Sequence, residues 1–523
     1  MKKKAVVLLL SFAMVIAPLQ YTSAAGNEDT SSASNPQTHI IQPSDSEEAE
    51  KQTDTQTNRS MSVQAEEEFV IEDGVLIQYN GNSSDVTIPD GVTKIGDEAF
   101  YRNDTIETVK FPDSVTEIGT ESFWACSNLR EVVFPKNLKT LGYGAFAICD
   151  SLEYVWIPKS LNTVIYLHEN EWGVYSGGPF SESRGSMRVE FEEGITEIPE
   201  YLFEHASNLK SVTIPDTVTT IGDYAFSNSG LTEIEIPGSV KSATNAFSDC
   251  SSLKTIRFSE ETSEVLPRMF SNTAVDTVIF PDSIEKIGGG AFESCDYLKN
   301  ITWPDSLTEI GDSAFAECTS LEEITLPDNL KKIGEDAFLG CKSLTEVTLP
   351  DKVEVLGGKA FGDCTGITSV HLPASIKEAG SGYISEDGSV VLNLKGPFGG
   401  CTALTEVTFA EGIEEICGLL LRDTGIKELT IPDTVKTIGR FAFDDCFSLE
   451  KIFIPESVTS IGDRILDGSD KAVIICVEDS AAHKYAVENG IPYSLDLEHK
   501  HSFGEWCVAQ RPSCGKEGYE RRY

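Results

Sequence analysis

The chain has 523 residues, and its 84 acidic against 41 basic side chains give a formal charge of -43. A surface so acidic repels nucleic-acid phosphates and anionic membrane, so no nucleic-acid partner and no membrane insertion are expected. Hydrophobic residues make up 40% of the chain and aromatics 9%, enough for a packed core. Thirteen cysteines are too few for a disulfide scaffold of this length, and their odd number leaves at least one thiol unpaired in a monomer.

Lys2, Lys3 and Lys4 precede an apolar run from Ala5 to Pro18 and then the small residues Ser23, Ala24 and Ala25. This is the layout of a secretory signal peptide over residues 1–25, with a run too short to span a membrane comfortably. Residues 26–67 are mostly Ser, Thr, Asn, Gln, Asp and Glu; they cannot repay the entropy of ordering and read as a disordered spacer. No later stretch reaches the length of a membrane helix. The expected location is secreted, extracellular or on the cell surface.

From Pro89 onward a proline or its substitute recurs at 112, 135, 158, 192, 215, 237, 259, 281, 304, 327, 350, 373, 410, 432 and 455. Nine of these intervals are 23 residues and four are 22, while the other two, 34 and 37, contain insertions. Pro327 to Leu349, PDNLKKIGEDAFLGCKSLTEVTL, shows the unit clearly, with apolar residues at Leu330, Ile333, Phe338, Leu344, Val347 and Leu349. One copy cannot bury enough apolar surface to offset the ordering of its backbone, so the copies must stack, with caps at both ends. The alternation Glu346-Val347-Thr348-Leu349 predicts a half-buried strand, and Pro327-Asp328 a turn. A second short extended piece is expected at Leu330–Ile333, then Gly334 and a turn of helix around Ala337 and Phe338. Fifteen rungs at about 4.8 Å make a rod on the order of 70 Å long.

The repeated pattern IP-D-x-V-x-x-I-G-x-x-A-F-x-x-C-x-x-L-x-x-V-x resembles the BspA-type (Treponema pallidum-type) leucine-rich repeat. The resemblance implies an α/β repeat solenoid, a right-handed leucine-rich-repeat superhelix dominated by parallel sheets with short helical turns. It also implies an N-terminal cap at 68–88, fifteen full repeats and a partial one at 89–477, and a C-terminal cap at 478–496. Residues 497–523 resemble the start of a small His/Cys module that is cut short. Families of this type are mostly surface proteins of bacteria and protists, linked to adhesion and host-protein binding.

Cys126, Cys149, Cys250, Cys295, Cys318, Cys341, Cys364, Cys401 and Cys446 share one repeat position, with Asn103 in the first copy. A buried thiol ladder is expected there, because free Cys packs as a small hydrophobe; the resemblance implies that these groups satisfy the turn of a neighbouring rung. Fourteen of the 26 phenylalanines, from Phe100 to Phe443, share another position and read as core. Asp after the repeat proline, as at Asp90, Asp113 and Asp328, suits turn initiation better than calcium. His499, His501, Cys507 and Cys514 match no standard zinc spacing. The seven histidines are scattered, and no nucleophile elbow, phosphate loop or His-Glu-x-x-His motif occurs, so neither catalysis nor a cofactor is expected.

Outward strand positions form two columns. One holds Glu131, Glu233, Glu323, Glu346, Glu406 and Glu428; the other holds Thr213, Thr302, Thr325, Thr348, Thr408 and Thr430. The columns serve solubility and strand propensity, or form an acidic concave track for a basic protein segment. They are interrupted where Tyr154 and Trp156 lie two apart beside Val133. An insertion within 162–178 follows with Tyr166, Trp172 and Tyr175, and a second lies within 380–395. These six residues, Val133, Tyr154, Trp156, Tyr166, Trp172 and Tyr175, are the candidate binding residues, since exposed aromatics anchor recognition. The expected function is adhesin-like binding, by a monomer, of an extracellular protein or glycan through the concave face and inserted loops. The alternative is a spacer rod presenting an anchor or enzyme module beyond Tyr523.

Overall fold

The computed structural model describes residues 68–166, 177–384 and 391–495. The chain divides into two units, Met1–Gln64 and Ala65–Tyr523. The signal peptide, the spacer and the His/Cys tail all lie outside the described residues.

Most repeats lay down one longer strand and one two-residue strand, and the two kinds stack in separate parallel sheets. The array opens with a hairpin, β1 (Phe69–Glu72) and β2 (Val75–Tyr79). The longer strands β3 (Asp85–Thr87), β5 (Thr108–Lys110), β7 (Glu131–Val133), β9 (Tyr154–Ile157) and β11 (Arg188–Phe191) form one sheet. The short strands β4 (Lys94–Ile95), β6 (Glu117–Ile118), β8 (Thr140–Leu141) and β10 (Thr163–Val164) continue the hairpin in a second sheet. Alternation along each strand sends one set of side chains inward: Val132, Val155 and Ile157 are fully buried, as are Ile95, Ile118 and Leu141.

The core is a stack of rings. From Phe100 to Phe398, successive ladder phenylalanines lie with centroids 4.5 to 5.7 Å apart and nearly parallel planes. Tyr79, 5.0 Å from Phe100, and Phe69, 5.1 Å from Tyr79, extend the stack at its N-terminal end. The glycine that follows most of the short strands lets consecutive rungs touch: a Cβ on Gly142 would lie 2.3 Å from the Gly119 carbonyl carbon.

The expected helical turn before the cysteine is not helical. Asp336 and Gly340 both take left-handed φ, 56° and 71°, and the three residues between them cannot complete an α-turn. Hydrogen-bonded turns link the rungs instead, with Phe338 N donating to Ala360 O and Gly340 N to Gly362 O. Among the described residues the one helix is α1 (Ala481–Asn489) near the C-terminal end. Ser480 caps it by accepting from His483 N, Gly490 ends it in the left-handed region, and Ala482 and Ala486 are buried beneath it. The strand Tyr493–Leu495 then pairs in parallel with Val473–Cys476.

Both insertions leave from the short-strand side. β10 ends its sheet before the first, and Glu378–Ala379 ends another before the second. The longer strands pair straight across both gaps, Tyr154 with Arg188 and Ser369 with Glu406.

Candidate binding surface

Parallel register places Val133 between Lys110 and Trp156, and Trp156 next to Glu190; two residues back along the strands, on the same face, Glu131, Tyr154 and Arg188 form the neighbouring row. Val133 is 45% exposed, whereas Tyr154 and Trp156 are half-buried. The tyrosine is less open than expected because its neighbours cover it. The Arg188 guanidinium lies 5.7 Å from the Tyr154 ring centroid and contacts Glu190 at 3.1 Å, while the Tyr154 hydroxyl donates to the same carboxylate at 3.2 Å. Burial and the bond to Glu190 both push the Tyr154 hydroxyl above its ordinary value. The result is a surface whose aromatic ring, cation and carboxylate are held by one another.

Tyr166 does not join this surface. It follows β10 in the other sheet, where its ring stacks on Tyr201 with centroids 3.9 Å apart, and Tyr201 stacks in turn on Tyr224. Tyr201 and Tyr224 each stand two residues before a ladder phenylalanine, so this column follows the turns and not the longer strands. Trp172 and Tyr175 lie outside the described residues.

All six glutamates and all six threonines of the two outward columns are exposed. The glutamates do not make a continuous acidic track where the strands are paired. Glu131 lies between Thr108 and Tyr154, Glu233 beside Thr255, Glu346 and Glu406 on either side of Ser369, and Glu428 beside Lys451. Like charges placed directly opposite would destabilise the sheet, and the register separates them.

The column formed by the residue after each ladder phenylalanine holds features that the sequence reading missed. At Ala147, Ser181, Ser227 and Ser248 it is small and buried. At its start it is aromatic. Tyr101 and Trp124 stack at 4.8 Å with planes 10° apart, and the Arg102 guanidinium sits 5.5 and 5.0 Å from the two centroids. An open cavity of about 560 Å³ adjoins Tyr101 and Arg102, its wall also including Gln78, Asp97, Asp104 and Thr105. The signal was present in the sequence, since of the fourteen ladder phenylalanines only Phe100 and Phe123 are followed by an aromatic residue.

In the same column Glu204 is 7% exposed, and its Oε2 has no hydrogen-bond partner. Burial alone pushes this carboxyl up to about 7. Near the other end Arg422 binds Asp444 at 2.8 Å, Asp445, and the Leu394 carbonyl at 2.9 Å. It thereby fastens the hairpin of the second insertion, Ser381–Ile384 with Val391–Lys395, to the array.

The repeat geometry has a counterpart in a known family. The BspA type leucine rich repeat region matches in six copies, over residues 77–167, 179–299, 285–389 and 395–483, more than half of the chain. The chain belongs to this family. A leucine-rich repeat protein from Bacteroides ovatus ATCC 8483 has a similar fold over 82% of this chain and 97% of its own, at 22% identity and TM-score 0.53. A leucine rich cell surface protein from Faecalibacterium prausnitzii A2-165 is 27% identical over 65% of this chain and 92% of its own, TM-score 0.36. The pneumococcal vaccine antigen PcpA is 16% identical over 82% and 96%, TM-score 0.36. None of the curated proteins matches the chain.

The cysteines of this BspA-type array are structural. Eleven are free and buried among the described residues. Burial pushes Cys126 up to about 12 and Cys250 up to about 11, so both stay protonated at neutral pH. No group of three or more His, Cys, Asp or Glu among the described residues is placed to hold a metal ion. No described helix is long and apolar enough to cross a membrane.

Proposed function

We propose that this BspA-type leucine-rich repeat protein is exported and acts at the cell surface as an adhesin-like binding protein. On this reading it recognises an extracellular protein or glycan by non-covalent contacts. The signal-peptide layout of residues 1–25 supports export, and the family it belongs to is one of cell-surface proteins. The observation that carries the reading is the unbroken parallel sheet β3–β5–β7–β9–β11, which presents Val133 and Trp156 beside the mutually anchored Tyr154, Arg188 and Glu190. Side chains already fixed by their neighbours lose little entropy on binding, and half-buried aromatics at such a surface are the usual energetic anchors.

The test is a screen of the secreted protein against extracellular matrix proteins and glycans, repeated with the double variant Tyr154→Ala, Trp156→Ala. The expected outcome is a ligand whose affinity falls at least about tenfold in the variant. Unchanged binding excludes this face, and no ligand in either set favours a spacer.

A further inference from the structure

We propose that the cavity at the N-terminal end of the array, beside Tyr101, is a carbohydrate subsite for a neutral pyranose residue of a glycan, separate from the strand face around Trp156. Tyr101 stacks on Trp124 of the next rung, but Trp124 takes no part in the cavity wall. The wall also takes in Ile77, Gln78 and Tyr79 of β2 and Gly81 just after it, on the rung before Tyr101. Tyr101 is 38% exposed. An aromatic ring backed by a second ring is a rigid, flat apolar platform, and the C–H face of a pyranose is a flat apolar surface of similar size.

The rest of the wall is polar, as sugar hydroxyls require. Asp97 Oδ1 accepts from Thr120 N at 2.9 Å, which holds the carboxylate in place and leaves Oδ2 to accept from a hydroxyl. Asn103 Oδ1 accepts from Thr105 N and from Thr105 Oγ1, so its amide nitrogen is turned to donating. Fixed acceptors and donors around one apolar platform suit a small polar ligand, and a volume of about 560 Å³ leaves room for one. Asp97, Glu98 and Asp104 also line the wall, against the single cation Arg102, which already lies against the two rings. That balance repels an anionic sugar and suits a neutral one.

The experiment titrates the full secreted chain with neutral and with anionic oligosaccharides by calorimetry. It compares the wild type with Tyr101→Phe, Tyr101→Ala and, as a control, Phe447→Ala, an exposed aromatic far along the array. Circular dichroism checks that each variant is folded, which the exposure of Tyr101 favours. The expected result is binding of a neutral oligosaccharide that Tyr101→Phe retains, that Tyr101→Ala weakens about tenfold or more, and that Phe447→Ala leaves unchanged. The proposal is overturned if no neutral oligosaccharide binds, if anionic ones bind more tightly, if Tyr101→Ala binds as the wild type does, or if Phe447→Ala weakens binding as much as Tyr101→Ala. Capture of a protein that Tyr101→Ala abolishes, with no sugar bound, overturns it as well and assigns the cavity to a protein partner.

Discussion

The thiol of Cys318 donates to the main-chain carbonyl of Phe292, 3.2 Å away on the preceding rung. The same bond joins Cys126 to Phe100, Cys341 to Phe315 and Cys401 to Phe361, so the cysteine column hydrogen-bonds to the backbone of the phenylalanine column along the array. A thiol that is buried, protonated and engaged as a donor is a poor nucleophile.

Thiol titration follows from this arrangement. The chain has 13 cysteines, and 11 of them are free and buried among the described residues; the other two are Cys507 and Cys514. A Cys507→Ser, Cys514→Ser variant is expected to show almost no reactive thiol when folded and all eleven in denaturant without reductant. Fewer than eleven after unfolding would reveal disulfides and sink the ladder.

The stacked rings make a second prediction. Phe315 lies 5.3 Å from Phe292 and 5.4 Å from Phe338, fully buried. Phe315→Ala should cost about 3–5 kcal/mol, from lost transfer energy and the cavity left behind. Phe315→Leu should cost clearly less, because the array already accepts Leu421 in this column, where it is fully buried. Denaturant unfolding measures both, and hydrogen exchange should place the loosening in the rungs on either side, since each rung rests on its neighbours.

These columns were legible in the sequence because a solenoid repeats its burial pattern: Phe, Cys and the strand alternation return every 22 or 23 residues. Features that depend on φ were not legible. The expected helical turn at Ala337 and Phe338 gave way to left-handed Asp336 and Gly340, and nothing in the side chains of a Glu-Asp-Ala-Phe run announces that. The candidate surface was half legible. Spacing two apart put Tyr154 and Trp156 on one face; Tyr166, chosen as part of the insertion, stands at the other sheet, since the chain crosses between Trp156 and Tyr166. Tyr101 with Trp124 was overlooked because each follows a core phenylalanine and reads as more core.

Glu204 makes stability depend on pH. Its ordinary value is 4.5, and burial raises it to about 7 in the folded protein. Between those values the folded chain holds a proton that the unfolded chain has lost, so stability falls as pH rises through this window and the full penalty remains above it. At about 1.36 kcal/mol per pH unit the penalty is roughly 3 kcal/mol. Glu204→Gln should therefore stabilise the protein by about that amount above pH 8 and change little near pH 4. A gain of equal size at both pH values would mean that the carboxyl charge is not its source.

Arg422 couples the second insertion to the array. Its guanidinium reaches the Leu394 carbonyl in the inserted hairpin and Asp444 and Asp445 in the next rung. Asp444 is 6% exposed; burial pushes its carboxyl above the ordinary value, and Arg422 pulls it back down. Arg422→Met keeps most of the apolar stem but strands a buried carboxylate, a loss of about 3–5 kcal/mol when one partner of a buried pair is removed. It also cuts the bond to Leu394 and leaves the hairpin of Ser381–Ile384 and Val391–Lys395 tied through Lys395 to Glu335 and Asp336, so proteolysis should open it sooner than in the wild type. Adding Asp444→Asn to Arg422→Met removes the stranded charge and should recover much of the stability without re-tying the hairpin. If the double variant resists protease as the wild type does, Arg422 is not what holds the insertion down.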